Sequence, residues 1–201
     1  MKINPPNRIP FLSGAMIGVV LLLSEAILIL VSWLLSATMT EGVRSLLSSE
    51  GVRWFFGSFV DIMASPWLVW LLLILIALGS LQRSGLFSMQ QGYREKVALR
   101  VALLFFVLYV AVILLLTVTP NAILISIKGS LFPSAFSRSL VPIIAFGIVL
   151  VSISFGVMSG RINSLSGVLE ALSFGISKGA RFFVLYILFM QLYESLWFVF
   201  G

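Results

Sequence analysis

Seven carboxylates are the acidic side chains left to carry chemistry in a chain of 201 residues that has no cysteine and no histidine. Two of them, Glu25 and Glu194, interrupt runs that are otherwise free of charge. An ionised carboxylate among some twenty apolar residues costs about 3 kcal/mol or more, so each is expected to be neutral, paired or facing a wet cavity. Glu25 lies about 14 residues and Glu194 about 12 residues from the basic end of its run, or about 21 Å and 18 Å along a helix. At nearly equal depth the two carboxyls can meet and share a proton, or form a coupling-ion site. Gln191, one helical turn before Glu194, completes a candidate intramembrane polar site of Glu25, Gln191 and Glu194. The simpler alternative makes each a protonated acid, turned away from lipid and bonded to Ser24, Ser32, Gln191 or Tyr193, because no basic residue lies at that level. The missing side chains exclude disulfides, thiolate chemistry, imidazole ligation of haem and most zinc sites. No phosphate-binding glycine loop, nucleophile elbow or metal-ligand cluster is visible. The expectation is a protein that is not an enzyme and takes no cofactor or metal.

The elements that must position these carboxyls are membrane helices. The chain is 60% hydrophobic and 10% charged, with a mean hydropathy of +1.15, against roughly 25% charged residues in soluble domains. Ile62 to Gln82, Val101 to Ser126 and Ser139 to Gly160 carry no charge. About 20 apolar residues in a helix cross the hydrocarbon core of a bilayer. Five spans are predicted, at about 11–35, 66–81, 97–118, 140–158 and 182–200, in one integral membrane domain covering 1–201. The first apolar run is too long for a cleavable signal and reads as a retained helix. Pro66 and Pro142 fall in first turns, where a missing N–H costs nothing, and Thr119-Pro120-Asn121 ends the third span. Gly156 and Gly160 form a small-xxx-small pair suited to close helix packing.

Two connecting segments read as amphipathic helices lying in the membrane interface and packing on the ends of the bundle. In the first, Val52, Phe55, Phe56, Phe59 and Met63 oppose Glu50, Arg53, Gly57 and Asp61. In the second, Val168, Leu169, Leu172 and Ile176 oppose Glu170, Ser173, Ser177 and Arg181. Nine basic residues (Lys2, Arg8, Arg83, Arg94, Lys96, Arg100, Arg161, Lys178, Arg181) fall on one predicted side and four (Arg44, Arg53, Lys128, Arg138) on the other. The positive-inside rule puts the nine, and the N-terminus, in the cytoplasm and the C-terminus outside. Basic residues placed this way give no reason to expect a nucleic-acid partner.

Two stretches resemble the aminobenzoyl-glutamate transporter (AbgT) family. In 46–86 the matching residues are Ser48, Glu50, Gly51, Arg53, Trp54, Pro66, Gly79, Ser84, Gly85 and Leu86, with Ser49 where the family has proline. Ser48 is placed to cap a helix that begins at Ser49. In 93–201, the basic lead-in YREKVALRVA, the turn FPSAF with Ala135 in place of proline, Phe155, Gly156, Gly160, Ile162, Ser164 and Gln191 follow the family's order. The stretches cover about three quarters of the chain. A block containing the family's first re-entrant hairpin has no counterpart between Gly92 and Tyr93, and none of its second hairpin follows the last span. The resemblance implies an inner-membrane protein descended from a transporter, incomplete as a transporter alone, acting as a homo-oligomer or with a membrane partner subunit, with Glu25 and Glu194 in a coupling role. The alternative is a non-transporting scaffold or accessory subunit. The lipid bilayer is the one partner that composition itself implies.

Overall fold

The computed structural model of the chain describes residues 9–38, 42–88, 92–118 and 135–201. Seven α-helices account for most of them: α1 (Ile9–Ala37), α2 (Ser49–Gly57), α3 (Phe59–Met63), α4 (Pro66–Ser84), α5 (Tyr93–Val118), α6 (Ala135–Ser159) and α7 (Leu165–Phe200), with a short 3₁₀ turn at Leu86–Ser88. The fold is all-α, and α1, α4, α5, α6 and α7 are each long and apolar enough to cross a membrane. Every predicted span lies on one of these helices. Thr119-Pro120-Asn121, the first three residues of FPSAF, and Lys2, Arg8 and Lys128 lie outside the described residues, as does the side chain of Arg138.

Two glycines set helix ends. Gly85 follows α4 at φ +72° and Gly160 follows α6 at φ +78°, the left-handed region that costs an L side chain free energy. Beyond Gly160 the N–H groups of Arg161 and Ile162 return to the carbonyl of Gly156 at 2.9 and 3.0 Å. Gly160 therefore terminates α6 instead of pairing with Gly156 in a packing motif. Gly156 packs against Ile162 and the backbone of Ser84, and Gly160 against the Arg94 guanidinium. Pro142 lies inside α6, because the helix starts one to two turns earlier than its apolar run.

The chain divides into two compact units, Met1–Leu68 with Ala180–Gly201, and Val69–Gly179. In the second unit, Ala98 and Ala102 of α5 leave room for the fully buried ring of Phe155 on α6. Tyr109 packs against Gly147, and its hydroxyl donates to the carbonyl of Ile143 at 2.8 Å. Antiparallel to α4, the first half of α7 approaches so closely that a β-carbon on Gly79 or Gly175 would enter the backbone of the facing helix. Arg83 pairs with Glu170 at 2.6 Å. Arg161 donates to Glu95 at 2.8 Å, to the Gly85 carbonyl at 2.7 Å and to the Ser88 carbonyl at 3.1 Å. These bonds gather the end of α4, the start of α5 and the turn between α6 and α7 at one end of the unit. The connections that follow α4 and α6 are thus in contact with each other.

Two details of the connecting segments differ from the interface-helix expectation. The second segment is not a separate helix: it is the first half of α7, which runs unbroken for 36 residues. No proline interrupts it, and Gly175 and Gly179 are held in helix by contact with Leu75 and Gly79 of α4. The first segment lies in the other unit, where α1 and α7 run side by side in the same direction, with Gly18 facing Leu185 and Leu28 packed with Phe198 and Val199. Its helix begins as expected: Ser48 is the N-cap and its hydroxyl accepts the Gly51 N–H at 3.0 Å. Trp54 then stacks on Phe198 at 4.5 Å between centroids. The helix breaks at Ser58, and after α3 the Tyr186 hydroxyl meets Ser65 Oγ at 2.6 Å and the Met63 carbonyl at 3.2 Å. Phe198 and Tyr186 lie about 18 Å apart along α7. The α2–α3 segment thus descends alongside α7, against its direction, instead of lying across its end.

Candidate functional site in the first unit

Glu25, Leu28 and Ser32 recur at helical spacing on the face of α1 that is turned to α7 and its neighbours. Opposite them, Gln191 and Ser195 stand one turn apart on one face of α7, where positions i and i+4 are neighbours. Gln191 is 7% exposed and Ser195 is fully buried. The Ser195 hydroxyl donates to Glu25 Oε1 at 2.8 Å. Gln191 Nε2 donates to Ser195 Oγ at 3.4 Å. Glu25 Oε2 and Gln191 Oε1 are both buried and have no donor.

Two of the three predicted residues, Glu25 and Gln191, are therefore brought together, and Ser195 joins them. Glu194 is not part of the set. One position before Ser195 on a helix is a rotation of about 100°, and the partly exposed Glu194 makes no hydrogen bond among the described residues. The carboxyl pair expected from equal depth does not form. The signal for Ser195 in the sequence is its place four residues after Gln191, on the same helical face. Ser32 and Tyr193, two of the other candidate partners, are engaged elsewhere. Ser32 Oγ accepts the Leu46 N–H at 3.2 Å and donates to the Ile29 carbonyl at 2.8 Å. The Tyr193 hydroxyl accepts from Trp197 Nε1 at 3.1 Å.

A second polar feature of this unit is the outer face of α2 and α3. Arg53, Gly57 and Asp61 follow one another at i, i+4 and i+8, and all three are exposed. Beside them, Val52, Phe56 and Val60 form an exposed apolar row, Phe56 being 75% exposed. Both rows travel along the part of α7 that carries no charge except Glu194.

Comparison with family models, curated proteins and solved structures returns no match. What the site can do follows from its own chemistry. Among the described residues no three acidic, histidine or cysteine side chains gather as metal ligands. The carboxyl, hydroxyl and amide around Ser195 can hold a proton or a small donor. In the other unit, a groove of about 540 Å³ is lined by Leu99, Leu103, Phe106, Ile144 and Val151 and offers a polar solute no partner. The Ser80, Ser84 and Thr117 hydroxyls are spent on carbonyls of their own helices at 2.8, 2.9 and 2.7 Å.

Proposed function

We propose that this chain is a multi-pass inner-membrane protein of transport lineage, similar to the AbgT family. It contributes a broken helix and an intramembrane carboxyl to a translocation unit built with further copies or a partner subunit. The N-terminus is cytoplasmic. The observation that supports this reading best is the course of α2–α3, which carries Arg53 and Asp61 exposed beside the apolar part of α7. Charge facing hydrocarbon is costly, and interrupted helices at membrane depth are tolerated where they line water or are buried in protein. The polar row therefore needs an aqueous cavity or a second protein surface. The apolar groove of the other unit, with the Ser80, Ser84 and Thr117 hydroxyls bonded within their own helices, favours a second reading, an accessory subunit that moves nothing.

Liposomes containing only the purified chain test the first reading. Saturable uptake of aminobenzoyl-glutamate should not exceed that of empty liposomes, and mass measurement in mild detergent should find an oligomer or a co-purifying membrane chain. Saturable uptake by an isolated monomer would overturn it.

A further inference from the structure

We infer that Glu25, Ser195 and Gln191 form a one-proton site, a hydrogen-bonded ring that closes when Glu25 carries its proton on Oε2 and donates it to Gln191 Oε1. The inference does not depend on the transport reading. Its basis is an accounting of donors and acceptors. Ser195 gives its single hydrogen to Glu25 Oε1 at 2.8 Å and receives one from Gln191 Nε2 at 3.4 Å. Two oxygens of the set, Glu25 Oε2 and Gln191 Oε1, are buried and lack a donor. Both are acceptors, so with Glu25 ionised and the Gln191 amide in this orientation both stay unsatisfied, and each such group is costly in a low-dielectric setting. One hydrogen between them satisfies both. Each side chain of the ring then donates once and accepts once around the circuit: Glu25 to Gln191, Gln191 to Ser195, Ser195 to Glu25. The step is binding of one proton to one carboxylate, with no other reactant.

The charged and titratable groups on the neighbouring elements do not take that role. Glu194, Tyr186, Tyr193 and Arg181 share α7, Glu50 and Arg53 lie on α2, and Asp61 lies on α3. Arg44 is held over the Phe198 ring at 4.9 Å. None of these hydrogen bonds to the three ring members among the described residues.

Infrared difference spectroscopy of the full chain in lipid nanodiscs tests the site. At neutral pH a protonated-carboxyl C=O band is expected. It should vanish in Glu25→Gln and persist in Glu194→Gln. Gln191→Leu and Ser195→Ala keep Glu25 and should each move the band to higher frequency, since the first removes the acceptor of its O–H and the second the donor to its C=O. These two variants keep the test open should Glu25→Gln fail to fold. Carboxylate bands alone would mean an ionised Glu25 with the Gln191 amide reversed, and would overturn the assignment. So would a band that Gln191→Leu leaves unmoved. Loss of the band when sodium replaces a large organic cation would make this a metal-cation site, which also overturns it.

Discussion

Glutamine in place of Glu25 keeps the length of the side chain and an oxygen to accept the Ser195 hydroxyl. Since one hydrogen bond contributes about 1 kcal/mol net, Glu25→Gln should melt within about 1 kcal/mol of the parent in detergent. Lysine at the same place brings a charge that costs about 3 kcal/mol in mid-membrane and can accept nothing from Ser195. Glu25→Lys should therefore insert poorly and melt lower, and a variant that accumulates and melts like the parent would show the position to be wet. Glu25 and Gln191 could be read from the sequence because polar side chains are rare in long apolar runs. Ser195 could not be singled out in the same way. Serine is common in membrane helices, and its role depends on which face of α7 meets α1, which depth alone does not set. The same ignorance of facing made Glu194 look like a partner.

At the scale of elements, close contacts decide most of what holds. Gly79→Val should place a side chain against the backbone of α7 at Gly175, an overpacking that costs about 1–3 kcal/mol. A thermal melt of the purified variant measures it, and an unchanged midpoint would mean α4 and α7 stand further apart. Arg161→Ala leaves the partly buried Glu95 carboxylate without its ion-pair partner and frees the Gly85 carbonyl, so a loss of about 1 kcal/mol is expected by the same measurement. The Ser48 cap was readable in advance because capping is local chemistry among four consecutive residues. The path of α2–α3 was not, because hydrophobic periodicity gives the apolar face of a helix and not the direction of its axis. Trp54 sat off that face, yet its stacking on Phe198, with the Tyr186 hydroxyl on Met63 and Ser65, is what lays the segment along α7.

For the molecule as a whole, five long apolar helices were evident from composition and charge spacing, since the bilayer fixes the length of what crosses it. The side on which each end lies rests on nine basic residues against four. A C-terminal reporter active only outside the cytoplasm should be active, and one active only inside should be silent; the reverse would require an even number of spans. The continuity of α7 was hidden because a change of amphipathic character looks in sequence like a change of element. The polar row of α2–α3 is expected to open on water or protein while its apolar row meets lipid. The chain has no native cysteine, so single cysteines can be placed at Arg53, Gly57 and Asp61 and at Val52, Phe56 and Val60 and exposed to a membrane-impermeant maleimide in intact liposomes. The first three should label, or become protected only when the chain is in its native assembly, and the second three should stay unlabelled in both states. Equal labelling of the two rows would place the whole segment in the interface plane and contradict the account.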